Sequence, residues 1–131
     1  KLLLDQKVIV ICAGGGGIPV VQKPDGTMIG VEAVIDKDHA SGLLAQEIKA
    51  DAFLMLTDVE GVFAHWGTSD ETLIGQTTPD IIELMSFPAG SMGPKVEAAC
   101  DFVRATGGYA AIGRLADCMG LIAGTTGTRI Q

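Results

Sequence analysis

Three short apolar runs constrain this chain more than any other feature. Val8-Ile9-Val10-Ile11-Cys12, Phe53-Leu54-Met55-Leu56 and Tyr109-Ala110-Ala111-Ile112 do not alternate with polar residues. Unalternating runs of this length read as strands buried on both faces, the pattern of a parallel sheet covered by helices. The segments between them supply such helices. Ala40, Leu43, Leu44 and Ile48 recur at helical spacing between Asp38 and Lys49, with Asp38 as the expected N-cap. Thr78-Pro79 opens a short helix, Thr78 capping it and Pro79 taking its first position. Pro94 opens the longest one, which carries the stripe Val96, Ala99, Cys100, Val103 and stops at Gly107-Gly108. A brief helix is expected over 117–123 and a last strand over 126–130. Pro24-Asp25-Gly26 marks a hairpin between 20–23 and 27–31. Residues 64–74 read as a polar loop or an exposed hairpin. Strands alternating with helices imply one α/β domain with helices on both faces of a largely parallel sheet.

Composition narrows the function classes. The 131 residues carry 16 Asp and Glu against 9 Lys and Arg, a formal charge of −7. An acidic balance argues against nucleic-acid and anionic-membrane partners, which favour a basic face. An apolar content of 47% excludes a disordered chain. No run approaches the ~18 apolar residues of a membrane span, so a cytoplasmic protein is expected. Cys12, Cys100 and Cys118 fit no disulfide framework and no metal pair, and they read as buried thiols. Glycine accounts for 18 residues, about double its usual share of ~7%.

In an open α/β sheet, ligands bind beyond the carboxyl ends of the strands. Four segments occupy such positions. Gly14 to Gly17 follow the first run; they form either a permissive turn or a loop whose N–H groups approach an anion. Asp36-Lys37-Asp38 opens a helix, either as a solvated cluster with a capping Asp or as an anion site with a lysine to neutralise charge. Gly90-Ser91-Met92-Gly93-Pro94-Lys95 opens the longest helix. Lys95 opposes the helix dipole there, which makes sense if lysine and N–H groups face one anion; otherwise its side chain points away. Thr57-Asp58-Val59-Glu60-Gly61 closes the second run, and Asp58 either serves a ligand or makes an Asx turn. His39, His65 and Trp66 have no partner at metal-ligand spacing and read as surface or packing residues. Two lysines, two helix starts and a glycine loop suit a phosphate chain. Phosphoryl transfer asks mainly for positioning and charge neutralisation.

Longer motifs carry a resemblance. Ala13 to Val20, Glu32 to Asp38, Leu56 to Val62 and Pro88 to Ala98, with the closing Gly127-Thr128-Arg129-Ile130, resemble the carbamate kinases of the amino acid kinase family, in order and over nearly the whole chain. The resemblance implies a three-layer sandwich of which residues 1–131 are the C-terminal, nucleotide-binding part. The N-terminal half, with its own glycine loop and a catalytic lysine, is expected to be absent, and the isolated piece to be inactive. The implied reaction interconverts ATP plus carbamate with ADP plus carbamoyl phosphate, with Mg²⁺ bound through nucleotide phosphates and not by the protein. A cytoplasmic homodimer in arginine metabolism is implied as well. By position, Lys95 and Lys37 would neutralise the transferring phosphoryl group, and Asp38 would hold the lysines. Asp36, Thr57, Asp58, Val62, Met92, Gly93 and Pro94 would bind nucleotide. Gly14, Gly15 and Gly16 would lie toward the acceptor and phosphate. His39 stands where a leucine is more usual. The alternatives are an acetylglutamate, glutamate or uridylate kinase, against which the two longest motifs argue, or a non-catalytic nucleotide-binding domain.

Overall fold

A computed structural model describes residues 1–131. The chain runs α1 (Leu2–Asp5), β1 (Val20–Gln22), β2 (Met28–Gly30), α2 (Lys37–Ile48), β3 (Ala52–Thr57), β4 (Phe63–Ala64), β5 (Thr72–Leu73), β6 (Gln76–Thr77), α3 (Pro79–Ile82), α4 (Met92–Thr106), β7 (Tyr109–Arg114), a 3-10 turn (Leu115–Asp117), α5 (Cys118–Ala123) and β8 (Thr128–Ile130).

The central sheet has the order β3-β7-β8-β6. β3 and β7 pair in parallel from Ala52–Tyr109 to Thr57–Arg114, so their carboxyl ends finish side by side. β6 and β8 are also parallel, but β8 runs against β7. The sheet is therefore mixed: the turn after α5 returns the chain antiparallel at once, with no second crossover helix.

Strand alternation sorts the layers. Phe53, Met55, Ala110 and Ile112 share one core with Val96, Ala99, Phe102 and Val103 of α4, and the Phe53 and Phe102 rings meet at 5.6 Å. Gly113 points to the opposite face, where a Cβ would lie 2.7 Å from the Leu121 side chain of α5. Helices thus cover both faces, with α2 packed beside α4 and against β3.

Most expected elements are present. The hairpin pairs Val20 with Gly30, and 63–73 forms the second hairpin. α4 buries its whole expected stripe and ends at left-handed Gly107. Thr78 caps α3.

Three expectations are corrected. Val8–Cys12 forms no strand and is exposed, Ile11 by 98%. Strand preference expresses packing on a pleated surface, and no strand of the chain lies beside this run to complete a ladder. For the same reason Cys12 is exposed; Cys118 is partly so, and only Cys100 is buried. In α2, Leu43 is 59% exposed, while Asp38, Gly42 and Ala45 turn inward. The α4 backbone approaches closely enough that only a small residue fits at 42: its Cβ would meet Phe53 and Ala98 at 3.4 and 3.5 Å. No helix is long and apolar enough to cross a membrane.

Candidate active site

α2 starts where Asp36, in extended conformation, accepts hydrogen bonds from the N–H groups of Asp38 (2.8 Å) and His39 (3.1 Å). The N-cap is therefore Asp36 and not Asp38. The His39 N–H, with help from the Asp38 N–H and the Lys37 charge, holds the Asp36 carboxyl below the usual carboxylate range. Capping by Asp36 releases Asp38, two residues further in, to face α4.

There Lys95 Nζ lies 2.7 Å from Asp38 Oδ2, both side chains almost buried at 13% and 12% exposure. Lys37 Nζ reaches the same oxygen at 3.4 Å from a solvent-facing position. One carboxylate thus gathers two ammonium groups at the first turns of two helices. α4 begins at Met92, two residues before Pro94, and its N-cap Ser91 makes no side-chain capping bond. Proline fits the first turn, where its missing N–H has no intrahelical role.

A cleft of about 330 Å³ opens beside this cluster, at the carboxyl end of β3. That volume falls within the usual range of ligand sites. Asp36, Lys37, Asp38 and Lys95 line it, as do Thr57 and Asp58 after β3 and Met92 and Pro94 of α4. The Thr57 hydroxyl donates to Asp58 Oδ1 at 3.1 Å. Other expected residues lie elsewhere. Val62 is fully buried in the core, because its backbone belongs to the foot of the second hairpin. Gly93 is buried and gives its N–H to the Pro88 carbonyl at 3.0 Å. Gly14 and Gly15 are exposed with open space around them, and Gly16 (φ +133) packs against the Ile35 backbone just ahead of α2. The glycine loop therefore buttresses the start of α2 from outside the cleft wall.

An aromatic wall went unread in the sequence. Phe63, Trp66 and Phe87 line the cleft, and the Phe63 and Trp66 rings meet at 5.2 Å with a 60° tilt. Trp66, exposed and packed on Phe63, is the surface and packing residue expected, and it also lines the cleft. The available signal was an aromatic pair within an otherwise polar excursion. His65 takes a left-handed conformation (φ 54) and accepts the Thr68 hydroxyl bond at the start of the hairpin turn. His39 faces solvent with Glu97 3.5 Å away. Chemically, the cleft offers cationic groups for an anion and aromatic faces for a flat, apolar moiety.

Comparisons with known proteins place the chain in a family. Residues 1–113 match the amino acid kinase family pattern. A carbamate kinase of Rhizobium meliloti (strain 1021) is 55% identical over 98% of this chain and 40% of its own length. One of Haemophilus influenzae is 48% identical over 99% of this chain and 42% of its own. The structure of carbamate kinase from Giardia lamblia bound to AMP-PNP superposes with a TM-score of 0.92 at 40% identity, covering 98% of this chain and 46% of that one. The chain spans about two fifths of the length of the curated relatives it matches. With the family pattern matched across most of its residues and the layered fold in place, this chain belongs to the amino acid kinase family.

Proposed function

We propose that the chain carries the nucleotide-binding half of a phosphotransferase that interconverts ATP plus carbamate with ADP plus carbamoyl phosphate. The observation that carries this reading is the Lys95–Asp38–Lys37 cluster at the mouth of two helices, inside an aromatic-walled cleft. Identities of 55% and 48% to carbamate kinases favour that acceptor over those of other family members.

In this mechanism the nucleotide base lies against Trp66 and Phe63, and the phosphates run toward α4. A carbamate oxygen attacks the γ-phosphorus in line, and the β-phosphate oxygen of ADP leaves. Lys95 and Lys37 neutralise charge on the transferring group. Asp38 fixes their positions and gives up part of its ion pairing to the phosphates as they arrive. Electrostatic stabilisation of this kind is typically the largest contribution to such a reaction. Magnesium enters as part of the nucleotide substrate. The nucleotide phosphates would hold the cation, and Thr57 and Asp58 line the cleft beside them. In the same reading the whole protein is a cytoplasmic homodimer serving arginine metabolism, and this chain alone binds nucleotide without turning it over.

The test couples carbamoyl phosphate, ADP and Mg²⁺ to luminescent ATP detection. It is run on the chain alone and on the chain fused to the uncovered portion of the Rhizobium meliloti relative, with acetyl phosphate and acetylglutamyl phosphate as controls. ATP formed by the fusion from carbamoyl phosphate in preference to both controls is the expected result. Preference for another acyl phosphate, or no ATP from a folded fusion, refutes the reading. Lys95→Met in the fusion slows turnover by roughly 10²-fold, the usual effect of losing one electrostatic stabiliser.

A further inference from the structure

The closing Gly127-Thr128-Arg129-Ile130 motif has no part in the cleft. Thr128, at the start of β8, is fully buried. Its hydroxyl accepts the Val62 N–H at 2.8 Å and donates to the Ile74 carbonyl at 2.5 Å. Val62 and Ile74 are the two residues flanking the hairpin of β4 and β5, and Ile74 N–H bonds the Val62 carbonyl at 2.8 Å. One side chain thus ties both feet of the hairpin to the central sheet. The neighbouring backbone reinforces the joint: Arg129 N–H donates to the Gly75 carbonyl at 2.8 Å. Gly61, which lines the cleft, comes so near that a Cβ there would lie 2.8 Å from the Thr128 hydroxyl.

Beyond its feet the hairpin has little to hold it. Its turn residues are exposed and bond mainly to one another, as in Thr68 to His65 and Gly67 to Glu71. Yet this hairpin carries Phe63 and Trp66, two of the three aromatic side chains of the cleft. The orientation of that wall is therefore set at its base.

We propose that Thr128 is a positioning residue for ligand binding: its buried hydroxyl pins the hairpin and so aims Phe63 and Trp66 into the cleft. The inference rests on the nucleotide reading of the cleft but has a readout that does not need it. Trp66 is the sole tryptophan of the chain, so its anisotropy and its quenching by acrylamide report the wall directly, without substrate.

The isosteric Thr128→Val removes the hydroxyl and keeps the volume, whereas Thr128→Ser keeps the hydroxyl. In Thr128→Val, Trp66 anisotropy falls and quenching rises; in Thr128→Ser both stay near wild type. In the fusion, Thr128→Val raises KM for ADP about fivefold, the factor expected from one lost hydrogen bond, while kcat changes little. A folded Thr128→Val with unchanged Trp66 anisotropy, quenching and KM overturns the proposal. Should the valine variant fail to fold, amide exchange of Val62 in the native chain decides. Protection at the level of the core amides supports the pin, and exchange as fast as at residues 67–71 overturns it. An inactive fusion refutes the kinase reading alone and leaves the Trp66 measurements standing.

Discussion

The ion pair between Asp38 and Lys95 lends itself to a worked prediction. At 2.7 Å two unit charges attract by about 6 kcal/mol with an effective dielectric constant of 20. Much of this offsets the desolvation of two nearly buried groups, so the pair itself contributes little net stability. Removing one partner is a different perturbation, because it leaves the other charge desolvated and alone. Asp38→Asn strands Lys95, which has no other carboxylate within ion-pair distance. The expected cost is about 3 kcal/mol, the lower end for a broken buried pair. For 131 residues that lowers Tm by about 10 °C. Lys95→Met is milder, about 1–2 kcal/mol, since Asp38 keeps Lys37 at 3.4 Å. The double variant strands neither charge and loses only about 1 kcal/mol, which leaves a coupling of about 3–4 kcal/mol. Urea unfolding of all four proteins at neutral pH measures the cycle. Additivity of the two single changes within about 0.5 kcal/mol would refute the coupled, buried pair.

Other expectations follow from individual contacts. The Asp36 carboxyl is held below its ordinary value, chiefly by the His39 N–H. Its contribution to stability is therefore present above the unfolded carboxylate pKa and lost as pH falls through the folded one. Asp36→Asn should flatten the acid limb of a Tm-against-pH curve below about pH 4; an unchanged limb would contradict the cap. Burial, aided by the Glu83 charge, pushes the Cys100 thiol up to about 12. Iodoacetamide at pH 8 should then label Cys12 readily and spare Cys100 in the folded chain, as read by mass spectrometry. Equal labelling of the two would mean that the α4 core is open. Gly42→Ala adds a methyl group that meets Phe53 and Ala98 at ordinary contact distances and removes the helix penalty of glycine. A gain of about 0.5–1 kcal/mol is expected, and a loss would mean that α2 and α4 are packed more tightly than described.

Local chemistry was legible wherever it acts over a few residues. The stripe Val96, Ala99, Cys100, Val103 foretold the buried face of α4, because helical spacing alone brings those side chains together. Pro24-Asp25-Gly26 and Thr78-Pro79 foretold a turn and a helix start for equally local reasons. The charged motifs at 36–38, 57–58 and 92–95 foretold which segments meet at the cleft, since strand ends and helix starts converge on one side of such a sheet. The cap of α2 was misplaced by two residues. Both Asp36 and Asp38 are capable caps, and only the backbone path ahead of the helix chooses between them.

What the sequence determined by itself was the alternation of elements, the layered class and the set of charged residues available to bind an anion. Tertiary structure decided the rest. It left Val8–Cys12 unpaired, because a strand requires a neighbour and none of the chain's strands runs beside it. It turned Leu43 outward and Gly42 inward, because the distance between α2 and α4 admits only a small residue there. It also set Phe63 and Trp66 beside the lysine cluster. A hairpin's position depends on what holds its feet, and here these are core packing of Val62 and bonds to β8, including one to Thr128, 66 residues away along the chain.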